Sequence, residues 1–273
     1  MRDNPVKRTI AEGGRAYGTM AFEFFTPGLP QIIKATGAEF AIFCMEHSGA
    51  DIDTMKVQIA ACRGIGLVPM VRVPATQYHF IARLLDAGAM GIMVPMVETV
   101  EQAELIVSST RYPPHGRRGA AFGVAHDDYE GGSVVEKIAK ANERTLVICL
   151  IETPKGVENV DRIAAVDGVD VCWLGHFDLT NFMGIPAEFE HPSYLDAVSR
   201  IVAACDKHGK TPGFLALDET WGRDYIARGF RLLGYGLDIT LFQGALRHGI
   251  QSLKTAAAVM NEVKTGKPQK PRR

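Results

Sequence analysis

The chain has 273 residues, 47% of them hydrophobic, and its 30 basic and 31 acidic residues leave a formal charge of −1. Charges this balanced, spread along the chain, give no electrostatic reason for a nucleic acid or an anionic membrane as partner, and no apolar run is long enough to span a bilayer. Five cysteines, odd in number and without C-x-x-C spacing, read as reduced thiols; with no apolar leader at the N-terminus, a cytoplasmic protein is expected.

Short apolar runs predict strands at 17–22, 40–45, 68–73, 91–97, 146–151, 169–175, 212–217 and 231–235. Helix-like stretches lie between them at 30–36, 53–63, 77–86, 99–110, 160–165 and 193–208, several ended by turn signals at Gly37, Gly88 and Gly209. Strand and helix alternating eight times predicts an α/β fold, a (β/α)8 TIM barrel. A doubly wound sheet is the competing architecture, but no G-x-G-x-x-G follows the first strand, and Gly64-Ile-Gly66 precedes a strand instead of opening a helix.

One long connection, 111–146, begins with Arg111-Tyr-Pro-Pro-His-Gly-Arg-Arg-Gly119, too rich in Pro and Gly for a regular element, and long ordered loops of this kind are usually functional. No repeat or linker marks a second domain, so a single barrel domain is expected over 1–263. The basic stretch 264–273 then forms a frayed tail. The segment 241–263 reads as an amphipathic helix that either closes the barrel or packs on a neighbouring subunit.

In such a barrel the chemistry sits at the C-terminal ends of the strands. Strand two ends in Glu46-His47, strand three in Arg72, strand five in Glu152 and strand six in Gly175-His176-Phe177-Asp178. Glu152 and Asp178 could hold one hard divalent ion, which keeps waters and accepts substrate oxygens. They could equally cap helices, since both precede helix starts. The Arg72 guanidinium suits a carboxylate or an oxo acid, and a structural ion pair with Glu46 is its plainer role. His47 could move a proton near neutral pH, or could simply hydrogen-bond in its loop. His176 could be a third ligand or an anion contact, with a local hydrogen bond as the plainer role. His79, His115, His126, His191, His208 and His248 lack ligand-like spacing and are expected to be mostly exposed.

Taken in order, Met45-Glu-His47, Val68-Pro-Met-Val-Arg72-Val-Pro74, Val94-Pro-Met-Val97, the Arg111–Gly119 segment, Ile151-Glu-Thr153 and Gly175-x-x-Asp178-Leu179 resemble the metal-dependent class II pyruvate aldolases typified by 2,4-dihydroxyhept-2-ene-1,7-dioate aldolase, related to citrate lyase β subunits. The resemblance covers almost the whole chain. It implies a divalent cofactor (Mg, Mn or Co) on Glu152 and Asp178, with Arg72 clamping the pyruvyl oxygens and His47 as acid/base. It further implies that the backbone over Gly175, His176, Phe177 and Asp178 receives the substrate carboxylate. The substrates would be an oxo acid and an aldehyde, in aromatic or sugar acid catabolism, and the enzyme a homo-oligomer, trimer or hexamer, with the C-terminal helix exchanged between subunits. Three positions depart from the family pattern. Cys44 stands where an acid is common, Leu150 where an amide is, and His176 where proline is. Two other readings are a citrate-lyase-like acyl-CoA lyase, with Arg117 and Arg118 in a nucleotide groove, and a degenerate barrel without catalysis.

Overall fold

A computed structural model describes residues 1–265, with side chains through Asn261. Eight strands close in sequence order into a barrel of parallel neighbours. They are β1 (Ala16–Ala21), β2 (Phe40–Cys44), β3 (Val68–Arg72), β4 (Gly91–Val94), β5 (Leu146–Ile151), β6 (Val171–Leu174), β7 (Thr211–Ala216) and β8 (Leu232–Leu237). All eight predicted strands are present. A helix α1 (Pro5–Ala11) precedes the barrel. The connections hold α2 (Leu29–Ala35), α3 (Ile52–Ala61), α4 (Tyr78–Asp86), α5 (Val100–Thr110), α6 (Val134–Arg144), α7 (Pro154–Glu158), α8 (Val160–Ala164), α9 (His176–Phe182), α10 (Pro192–Lys207) and α11 (Glu219–Ala227), and α12 (Asp238–Thr265) follows β8.

Successive strand residues face opposite sides. Phe40 and Ile42, Val68 and Met70, Ile148 and Leu150, and Val171 and Trp173 therefore fill the barrel interior, while Ala41, Phe43, Val71, Val147 and Phe214 pack outward under the helices. Continuing that alternation to the strand ends turns Cys44, Arg72 and Glu152 inward, to the mouth. The opposite end is stoppered by α1. Its Val6 and Ile10 join the interior cluster, and the Asn4 side chain donates to the carbonyls of Met90 and Arg144 at 3.0 and 2.9 Å.

Three sequence expectations need correction. No element is expected before the strand at 17–22, yet Val6 and Ile10, four apart, give α1 a buried stripe. The 111–146 connection is not an unbroken loop, because it contains a 3-10 turn (Ala125–Asp127) and α6. The helix begins where the Ser133 hydroxyl accepts the Glu136 N–H, a Ser-x-x-Glu start signal. His126 is buried rather than exposed, with Nε2 at 2.6 Å from the Ala121 carbonyl and its ring beside Tyr112 and Phe122.

The last helix, α12, runs two residues into the stretch expected to fray; 266–273 lie outside the described residues. Its start packs against β1 and β8, with Phe242 edge-on to Phe24 at 5.7 Å. Leu241, Phe242, Leu246, Ile250 and Leu253 are all exposed along it.

Candidate active site

At the strand ends, His47, Arg72, Glu152, Gly175, His176, Phe177 and Asp178 line one cleft of about 140 Å³. Its remaining wall is apolar and includes Leu150, Trp173, Leu215 and Leu237.

Cys44 and Arg72 are register partners on β2 and β3, so their side chains emerge on the same side. The Cys44 sulfur accepts from Arg72 Nε at 3.1 Å and Nη2 at 3.0 Å, and from the His47 backbone N–H at 3.3 Å. Glu46 Oε2 lies 3.3 Å from Arg72 Nε, close enough for an ion pair, but the N–H points at the sulfur and leaves this oxygen without a hydrogen bond. The same oxygen is 3.8 Å from His47 Nε2. Burial raises the Glu46 carboxyl pKa above its ordinary range, against the pull of Arg72 and His47. The structural ion pair expected for Arg72 is thus present, and the guanidinium still faces the cleft, 5.0 Å from the centre of the Phe22 ring.

Glu152 is only 3% exposed. Its Oε1 accepts the Met96 N–H at 2.7 Å, and Met96 holds a left-handed φ of 56°, a strained conformation for this residue that aims its amide into the site. Burial pushes the Glu152 carboxyl up to about 8; the Met96 amide opposes this, and the negative charges of Glu46 and Asp178 add to it. Gly175 makes the arrangement possible, because a Cβ there would lie 2.4 Å from Glu152 Oε2. The capping alternative is answered directly. Thr153 caps α7, its hydroxyl accepting the Gly156 N–H, and Gly175 stands at the start of α9, so neither Glu152 nor Asp178 is a cap.

Among the described residues no group of three or more His, Cys, Asp or Glu side chains is arranged to hold a metal. Glu152 and Asp178 are the two carboxylates that line the cleft. A buried acid raised by neighbouring acids, with one oxygen fixed by an amide, is a place that a hard cation would stabilise.

His47 is the most open of these groups, its side chain 48% exposed and its ring 5.8 Å from that of Phe22. His176 borders the cleft, but its ring sits among Phe189, Phe214 and Trp221 and its Nε2 has no partner. Burial lowers its pKa to about 4. A neutral imidazole packed in aromatic rings is part of the wall, and what it offers a ligand is its backbone.

Arg118 is buried against Asp86 at 2.7 Å and over the Tyr112 ring, while Arg117 lies over Tyr78. Neither lines the cleft, so the nucleotide groove of an acyl-CoA lyase finds no support in them. Residues passed over in the sequence also shape the site. Asp238, opening α12, accepts the backbone N–H groups of Phe22, Glu23 and Phe24 at 3.0, 2.9 and 2.8 Å and so holds Phe22 in place. An acid directly after the last strand was the available signal.

A closed parallel barrel whose mouth gathers carboxylates, one arginine and two histidines, one of them open to solvent, has the layout of a carbon–carbon lyase using acid–base chemistry. The chain belongs to the HpcH/HpaI aldolase/citrate lyase family, whose model matches residues 23–245. It is 37% identical over 215 residues, 79% of this chain and 83% of the relative, to 5-keto-4-deoxy-D-glucarate aldolase of Escherichia coli K12. Two crystal structures share the fold. The HpcH/HpaI aldolase from Desulfitobacterium hafniense DCB-2 superposes with a TM-score of 0.88 at 28% identity, covering 91% of this chain and 96% of that one. A HpcH/HpaI aldolase/citrate lyase family protein from Burkholderia cenocepacia J2315 superposes at 0.86 and 30%, covering 92% and 99%. The protein is therefore an aldolase, a carbon–carbon lyase acting on small molecules, of a family that generally works with a divalent metal ion.

Proposed function

We propose that this aldolase forms and cleaves 4-hydroxy-2-oxo acids through the enolate of pyruvate, with a divalent ion, Mg, Mn or Co, held by Glu152 and Asp178. The observation that carries this reading is the buried Glu152, raised to about 8 beside two further acids and backed by Gly175. When bound, the ion supplies positive charge to the 2-oxo group, which makes a Schiff-base lysine unnecessary.

The chain's own residues do the rest. Arg72, fixed by Cys44 and Glu46, holds the pyruvyl oxygens and adds charge where the enolate oxygen develops. The backbone from Gly175 to Asp178 borders the carboxylate position. In cleavage His47 takes the proton of the C4 hydroxyl, the C3–C4 bond breaks, its electron pair passes into the enolate and the aldehyde leaves. A proton returned to C3 completes pyruvate. Glu46 Oε2 lies 3.8 Å from His47 Nε2, beside the ring that carries out this step.

We further propose that α12 is exchanged between copies in a trimer or hexamer. The support is its exposed apolar row and an apolar groove of about 860 Å³, between β1, α2 and the start of α12, that includes Met20, Leu29, Ile32 and Ile33. Among the described residues no helix is long and apolar enough to cross a membrane. With five free, buried cysteines, a cytoplasmic location is the one we favour.

Oxaloacetate decarboxylation tests the site without any aldehyde, since it generates the same enolate. Purified protein should lose this activity on chelation and regain it with Mn²⁺. Glu152→Gln should abolish both Mn²⁺ binding by calorimetry and decarboxylation while keeping the circular dichroism of the folded barrel. Retention of Mn²⁺ affinity in that variant would overturn the assignment.

A further inference from the structure

We propose that Met96 is a positioning residue for the metal centre: its left-handed backbone, and not its side chain, fixes one Glu152 oxygen and so presents the other to the cation. This rests on the reading of Glu152 as a metal ligand.

The strain arises at the top of β4. Val94 is the register partner of Cys149, whereas the Val97 N–H, three residues on, donates at 3.1 Å to the carbonyl of Leu150, only one residue on along β5. Pro95 and Met96 are therefore forced out of the ladder between fixed points, as in a bulge. Neither neighbour can give way. The ring of Pro95 sets its own φ, and Val97 is fully buried in the outer core. The start of α7 presses on Val97 as well, since a Cβ on Gly156 would stand 2.8 Å from the Val97 carbonyl. Met96 takes up the turn at φ 56°, which a residue with a Cβ adopts only at a cost.

The consequence is the aim of one N–H. It meets Glu152 Oε1 at 2.7 Å, while Oε2 lies on the side of Gly175, where the missing Cβ leaves room. A carboxylate tied by one oxygen cannot turn freely about its terminal bond, so the direction of the second oxygen is set before any ion arrives. Groups that hold a metal ligand in this way typically govern about 10- to 100-fold in metal affinity. The Met96 side chain has no comparable task, being 37% exposed and outside the lining of the cleft. An exposed side chain on a backbone that glycine or asparagine would adopt with less strain marks the main chain as the working part.

The test compares Met96→Gly, Met96→Asn, Met96→Ala and Met96→Val in the full-length protein. The readouts are Mn²⁺ binding by calorimetry, thermal unfolding without metal, and oxaloacetate decarboxylation across Mn²⁺ concentrations. Glycine and asparagine accept this φ, alanine removes the side chain beyond Cβ alone, and β-branched valine resists it. Met96→Gly, Met96→Asn and Met96→Ala should bind Mn²⁺ within about twofold of the unsubstituted chain, because each keeps the amide in place. Met96→Val should bind at least about tenfold more weakly, and raised Mn²⁺ should restore its decarboxylation rate. Without metal, Met96→Gly and Met96→Asn should melt no lower than the unsubstituted chain, since relief of the left-handed strain offsets the looser unfolded state. A fall of about tenfold in the affinity of Met96→Ala would assign the role to the side chain and overturn the inference. A folded Met96→Val of unchanged affinity would overturn it too. Should Met96→Val fail to fold, a Met96→Gly that melts lower or binds Mn²⁺ more weakly would do the same. An unsubstituted protein that binds no Mn²⁺ would overturn the reading beneath it.

Discussion

The Cys44 sulfur is the acceptor that holds the Arg72 guanidinium: two N–H groups of the arginine reach it at 3.1 and 3.0 Å from the next strand, where the two residues are register partners. An arginine with 7% exposure cannot be left half-paired without cost, and the Glu46 oxygen beside it is poorly aligned to take over.

Replacing this sulfur should therefore be felt in substrate binding before turnover. Cys44→Ala should raise KM for oxaloacetate about tenfold, with a smaller fall in kcat, because removing one partner of a buried hydrogen-bonded charge costs about 1–3 kcal/mol. Cys44→Ser, which keeps an acceptor on a shorter arm, should recover part of the loss. Equal kinetics for all three proteins would show that Glu46 alone positions Arg72.

Asp238 ties three consecutive amides of the segment after β1, and Phe22 among them lies over Arg72. Asp238→Ala frees those amides together. KM for the oxo acid should rise several-fold, and hydrogen exchange at 22–24 should quicken by at least about tenfold, consistent with about 1 kcal/mol per lost hydrogen bond. Unchanged exchange would show that the segment is held by other contacts.

The buried His126 gives the pH dependence a sign. Burial depresses its pKa below the ordinary 6.5, so between the two values the unfolded chain binds more protons than the folded one. Stability from this group is whole above pH 6.5 and is lost as the pH falls below it. His126→Gln should lower Tm at pH 8 yet flatten the decline between pH 7 and pH 5, measured by calorimetry. A decline as steep as that of the unsubstituted protein would assign the acid sensitivity elsewhere.

Light scattering at micromolar concentration should give the mass of a trimer or hexamer of the 29.7 kDa chain. Leu246→Glu with Ile250→Glu, both on the exposed apolar row of α12, should shift it toward the monomer. A monomeric unsubstituted protein would remove the exchanged helix from the account.

Much of this architecture is legible in the residues themselves. The eight apolar runs stand out because parallel strands are covered on both faces, and the period of two that sends Val68 and Met70 inward also sends Arg72 inward. Ile148 and Leu150 point the same way to Glu152. What stayed hidden depends on distant partners. Whether His126 is exposed is decided by Tyr112, Phe122 and the Ala121 carbonyl, and whether His176 faces a ligand is decided by Phe189, Phe214 and Trp221, from three other parts of the chain. Cys44 looked like a missing acid. The register that brings its sulfur onto Arg72 gives it a different partner, and no spacing rule contains that register. The start of α6 was readable at Ser133 but lay behind a segment of prolines and glycines that drew attention to itself.

The stopper formed by α1 at the far end has a kinetic meaning. With Val6 and Ile10 closing the floor and Ile148 and Met70 filling the shaft above it, the cleft opens in one direction only. Whatever is seated deepest enters first and departs last. On the proposed reading, with pyruvate at Arg72, the oxo acid waits for the aldehyde to clear the doorway, and product-inhibition kinetics should show a compulsory order of release.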